Sequence, residues 1–130
     1  MSTELTMLVL ALFLHMALMV LYSIRANREL GSSYPLSPRD KDAPEMSPPL
    51  GRLKRAVGNS FESLIMFAPA VVILILADKT SGATSGASVV FVCARLLYIP
   101  AYVMGLVPWR SLIWGVGFFA TLALLLAALI

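Results

Sequence analysis

From Leu5 to Ile24 the chain carries no charged residue. About 20 such residues, coiled as a helix, cross a bilayer core of about 30 Å. Three further apolar blocks follow, at residues 53–77, 87–106 and 111–130, and the last holds no charge. Hydrocarbon offers the backbone no hydrogen-bond partner, so blocks of this length must satisfy their own N–H and C=O groups as helices. The expected fold is therefore all-α and integral to the membrane. It is a bundle of four transmembrane helices in a single domain over residues 1–130. A composition of 59% hydrophobic and 13% charged residues excludes an ordinary soluble domain. The first residues, MSTEL, lack a basic stretch, so the first block is expected to remain as a span rather than be removed as a signal peptide.

The connections set the orientation. Residues 26–50 read as a polar loop, because Pro35, Pro38, Pro44, Pro48 and Pro49, with Gly31, Ser32 and Ser33, oppose a long helix. Asp78 to Gly86 reads as a short turn, and Leu106 to Arg110 as a tight one in which Pro108 can start the next helix. The net charge of +3 does not point to nucleic acid, because the basic residues flank the spans. Arg25 to Arg55 hold seven of the ten. Positive charge marks the cytoplasmic side. The first loop and the Arg110 turn are accordingly expected in the cytoplasm, with both termini outside.

Polar residues inside the spans are costly and face a partner or a cavity. Arg55, Asn59 and Glu62 stand at i, i+4 and i+7, one face of a helix. Counted at about 1.5 Å per residue from the cytoplasmic ends, Glu62 and Arg95 lie at about the same depth, so an ion pair between them is expected. Arg95 and Tyr102 share a face of the third span. Arg25 and Arg110 stand at the mouth, and Arg110-Ser111 adds the positive end of a helix there. The pattern describes a polar shaft with a cationic mouth, suited to an anionic ligand. The blander alternative is that Glu62 and Arg95 only lock helices together.

Other single residues carry less. His15 reads as a packed or interface residue, and Cys93 as a small packed one. A lone cysteine excludes an intrachain disulfide and a cysteine-based zinc site. Tyr22 and Tyr98 read as belt or packing residues and Trp109 as an interfacial anchor. Gly58, Gly105, Gly115 and Gly117 are expected to permit close helix approach.

Three segments together resemble a known family. RAVGNSFES (Arg55 to Ser63), ARLLYIPAYV (Ala94 to Val103) and Arg110-Ser111 resemble the signatures of the membrane-associated proteins in eicosanoid and glutathione metabolism, MAPEG. Within it, the likeness is to a bacterial member of the microsomal glutathione transferase kind. The resemblance implies a homotrimer, with glutathione as co-substrate bound between neighbours at the cytoplasmic side, and the short turn at residues 78–86 and simple ends point to a bacterial inner membrane. It implies that Arg25 contacts a glutathione carboxylate, that Arg55, Asn59 and Glu62 hold polar groups of the tripeptide, and that Arg95 and Tyr102 line the pocket. Arg110 would stabilise the thiolate beside Ser111, with Trp114 against the peptide. The second substrate would be an apolar electrophile from the lipid, giving a detoxifying transferase or peroxidase. The rival reading is a non-catalytic relative that binds lipid or a partner. A small multidrug exporter ranks last, because those carry their essential glutamate in the first span and this one has none.

Overall fold

In the computed structural model, which describes residues 1–33, 36–42 and 44–130, four helices follow one another. They are α1 (Thr3–Leu30), α2 (Pro48–Leu76), α3 (Gly82–Val103) and α4 (Trp109–Leu129). All four are long and apolar enough to cross a membrane. At about 1.5 Å per residue α1 and α2 exceed the hydrocarbon core by about 12 Å, so their ends at the first loop stand clear of it.

Three helices begin on a serine that caps free amides. Ser2 Oγ accepts from Leu5 N–H, and Ser47 Oγ from Leu50 N–H. Ser81 and Thr84 form a reciprocal capping box. These caps correct the expected boundaries. α2 starts at Pro48 rather than near Leu53, because Pro48 and Pro49 occupy the first two helical positions, where no amide hydrogen is needed. α3 starts at Gly82 rather than near Ala87, since the Ser and Thr residues read as a turn are its cap. α1 runs on through Arg25 and Arg28 to Leu30. The connecting loop is thus shorter than residues 26–50, and Pro35 lies outside the described residues.

α2 and α3 form the middle of the bundle, and α1 and α4 each bury a single stripe. The α1 stripe is Glu4, Leu8, Ala11, Leu18 and Ala26. The core gathers in the half away from the first loop. There Phe67 and Phe91 stack with ring centroids 3.8 Å apart, among Val71, Leu74 and Leu124. At that same end the fully buried Glu4 carboxylate accepts hydrogen bonds from Thr84 Oγ1 (2.6 Å) and Ser85 Oγ (3.1 Å). Lys79 Nζ donates to the Ala128 carbonyl beside it.

Large apolar side chains point outward all round, Phe13 at 63% and Phe119 at 66% exposure among them. Only lipid or another subunit can cover such a surface. The protein is an integral, multi-pass membrane protein. Cys93 faces outward as well, rather than packing inside. Gly58 and Gly115 have no atom within 4 Å of a built Cβ, so within the subunit they permit no close approach. Gly105 matters for another reason. It holds φ +69° after α3, and a Cβ there would come 3.2 Å from the Arg52 guanidinium carbon.

Candidate functional site

The polar residues of the basic half form a ladder along α3. Arg95, Tyr98 and Tyr102 stand at i, i+3 and i+7, so all three fall on one stripe. Arg95 is 5% exposed and turned toward α2. Its Nη1 donates to Asn59 Oδ1 at 2.9 Å. Its guanidinium lies 4.4 Å over the Tyr98 ring centroid, a cation–π contact in a desolvated setting. The Tyr98 and Tyr102 centroids are 5.5 Å apart. Arg55 Nε donates to Tyr102 Oη at 3.0 Å, and the Arg110 guanidinium stands 5.2 Å from the Tyr102 centroid.

Three guanidiniums thus converge through two aromatic rings. Among the described residues none of the three is bonded to a carboxylate. Arg95 Nη2 and Arg110 Nε are buried there without a hydrogen-bond partner. Buried donors are ordinarily bonded. Each of these orphaned cationic donors can take an acceptor atom of an anion. Arg52 adds a fourth guanidinium against Gly105, where it complements the negative end of α3.

The structure brings together Arg55, Asn59, Arg95, Tyr102 and Arg110. The expected Glu62–Arg95 pair does not form. Arg95 takes Asn59 instead, and Glu62 is exposed on the outside of α2. The cause is rotation about the helix axis. The buried seam of α2 runs through Leu53, Ala56, Ser60, Ser63 and Phe67. At about 100° per residue Asn59 lies about 80° from its centre and Glu62 about 140°. Arg25 also stands apart. With Arg28, Leu50, Leu53 and Val103 it lines a separate cavity of about 360 Å³. Ser111 is exposed, with its amide bonded to the Pro108 carbonyl. Trp114 stacks on Phe118 at 5.2 Å and meets Arg95 only across a small gap that Ser63 and Thr121 also line.

Two members of the polar interior differ from what their surroundings in the sequence suggest, a packing role. Tyr98 is the middle rung of the ladder, and its spacing between Arg95 and Tyr102 was the signal for it. His15 Nδ1 shares a 2.9 Å hydrogen bond with Ser60 Oγ, joining α1 to α2. No sequence signal identified that partner.

Four helices of membrane-crossing length, with a cationic and aromatic cluster near one end that is buried at Arg95 and open at Arg55, define a small polytopic membrane protein. The chain belongs to the MAPEG family, whose family model matches residues 3–130. It is a membrane protein related to glutathione and eicosanoid metabolism in that general sense. No curated protein and no solved structure matches it.

Proposed function

We propose that this protein is a glutathione-dependent transferase or peroxidase acting on lipophilic electrophiles. The observation that carries the reading is the convergence of Arg55, Tyr102 and Arg110, with the Arg110 Nε buried and unpartnered. Glutathione supplies a thiol whose attacking form is the thiolate. A guanidinium beside a thiol lowers its pKa, because the positive charge favours the anion. Arg110 fills that role, fixed in place by the Tyr102 ring. Arg55, oriented by its bond to the Tyr102 hydroxyl, holds a carboxylate of the tripeptide. Arg95 and its partner Asn59 stand at the inner end of the ladder, away from the Arg110 thiolate position. The electrophile enters from the lipid past Trp114, with Ser111 at the mouth.

Glu62 supports assembly as a homotrimer. A carboxylate on the outer face of a span is costly in hydrocarbon. A neighbouring copy would cover it, leaving Glu62 to receive the glutathione ammonium group at the boundary, with Arg25 receiving the second carboxylate. The excess of basic residues around the first loop supports placing this end in the cytoplasm and both termini outside.

The test is turnover of glutathione with a chromogenic aryl halide by the detergent-purified protein. Arg110→Ala is expected to lower kcat about 10²- to 10³-fold, as for loss of one preorganised donor at a developing charge. Its unfolding midpoint should stay close to that of the parent. Unchanged turnover in Arg110→Ala would remove the thiolate role. Absence of any turnover in the parent would favour the non-catalytic, lipid- or partner-binding relative.

A further inference from the structure

A second cavity, of about 440 Å³, opens between α1 and α2 under the first loop. None of its lining residues belongs to the Arg95–Arg110 ladder. It also lies on the opposite side of α1 from the cavity that holds Arg25 and Arg28. Tyr22, Ser23 and Asn27 of α1 and Lys54 of α2 supply its polar rim, and Arg39 closes it from the loop. Met19 and Val57 form its apolar floor. Among the described residues the side chains of Tyr22, Ser23, Asn27 and Lys54 make no hydrogen bond to protein, so four polar groups are presented together.

The cavity continues into the membrane as a groove. Leu12, Met16 and Met19 share one face of α1 and are 45%, 59% and 49% exposed. Phe61, one turn beyond Val57 on α2, is 58% exposed and faces them across the groove. Its ring centroid is 6.1 Å from that of His15, so α1 and α2 meet at the groove's base. Met19 sits about 8 Å below Ile24, and the polar rim lies at headgroup level. A cationic, donor-rich rim above an apolar channel matches an anionic amphiphile lying parallel to the helices. The volume is at the small end of ligand pockets, enough for a headgroup, with the chain left outside in the groove.

We propose that this cavity holds the phosphate headgroup of one anionic phospholipid, with Lys54 as its cation and one acyl chain along Leu12, Met16 and Met19. Tyr22, Ser23 and Asn27 donate to the phosphate and glycerol oxygens. The site rests on the membrane-spanning fold and is independent of glutathione chemistry. A bound lipid there would tie the first loop to the α1–α2 pair.

The test is native mass spectrometry of the delipidated full chain, titrated with phosphatidylglycerol or phosphatidylcholine of matched acyl chains. One phosphatidylglycerol per chain should be retained, about fivefold more tightly than phosphatidylcholine, the effect of one cation near an anionic headgroup. Lys54→Gln should lower that preference severalfold, with Arg39 still at the rim, and Lys54→Arg should keep it. Met19→Trp, which fills the top of the groove, should weaken both lipids alike. Equal retention of the two lipids by the parent would overturn the proposal, as would undiminished phosphatidylglycerol binding by Lys54→Gln. Glycerol phosphate competing as well as the lipid would overturn it by showing a free-phosphate site with no role for the groove. A Met19→Trp protein with altered subunit number and unchanged lipid binding would also overturn it, by making this face a contact between copies.

Discussion

Replacing Asn59 with Leu removes the hydrogen bond that holds the Arg95 guanidinium, at 2.9 Å from a side chain only 5% exposed. In soluble proteins a hydrogen bond to a charged group contributes about 1.5–3 kcal/mol. Within bilayers measured pair couplings average about 0.6 kcal/mol and reach about 1.7, because the unfolded chain also finds partners. Arg95 is charged, desolvated and left with one orphaned nitrogen already, so its coupling to Asn59 should sit near the top of that range, at about 1.5 kcal/mol. The assay is a double-mutant cycle of Asn59→Leu and Arg95→Met, read by reversible unfolding in mixed micelles. A parallel cycle of Glu62→Gln and Arg95→Met should be additive to within about 0.5 kcal/mol, since the two side chains do not meet within the subunit. Additivity at Asn59–Arg95, or a larger coupling at Glu62–Arg95, would refute the observed arrangement of the ladder.

Two further outcomes are expected. Glu4→Ala should destabilise the bundle by about 2 kcal/mol, because it strips a buried charged acceptor from Thr84 and Ser85. Glu4→Gln, which keeps an acceptor oxygen, should recover more than half of that in the same unfolding assay. At the loop end, Glu29 accepts from the Ser47 side chain and amide, and these bonds hold its carboxyl below the ordinary 4.5. A depressed folded pKa contributes stability that is present above pH 4.5 and is lost as the pH falls through the folded value. Protection of the Leu50 and Gly51 amides, taken relative to the intrinsic exchange rate at each pH, should therefore fall on acidification below pH 4.5. It should be flat there in Glu29→Gln; an identical pH profile in the two proteins would rule out the Glu29–Ser47 link.

The number of helices and their place in a membrane were legible because charge-free runs such as Leu5 to Ile24 leave the backbone no other solution. The starts of α2 and α3 were not. Pro48-Pro49 and Ser81-Gly82 read as breakers when considered alone, whereas the first turn of a helix is where such residues cost least. The polar site was half legible. Depth along the axis singled out Asn59 and Arg95 as polar residues within long apolar helices, but rotation about the axis decides which group a guanidinium meets. The row Arg55, Asn59, Glu62 already runs away from the seam of Leu53, Ala56, Ser60 and Ser63, with Asn59 nearest to it. That seam turns Glu62 outward. Tyr98 resembles a belt residue in the sequence, yet its position between Arg95 and Tyr102 fixes it on the ladder. The bonds of His15 to Ser60 and of Glu4 to Thr84 join residues far apart in the chain, and local pattern carries no trace of them.

The central claim is that the Arg55–Tyr102–Arg110 cluster receives glutathione as a thiolate. Calorimetric titration of the detergent-purified protein with glutathione, with the thiolate absorbance followed in the ultraviolet, tests it most directly. The expected result is saturable binding accompanied by a thiolate signal that Arg110→Ala abolishes. No binding at millimolar glutathione, or binding whose thiolate signal survives in Arg110→Ala, would contradict it.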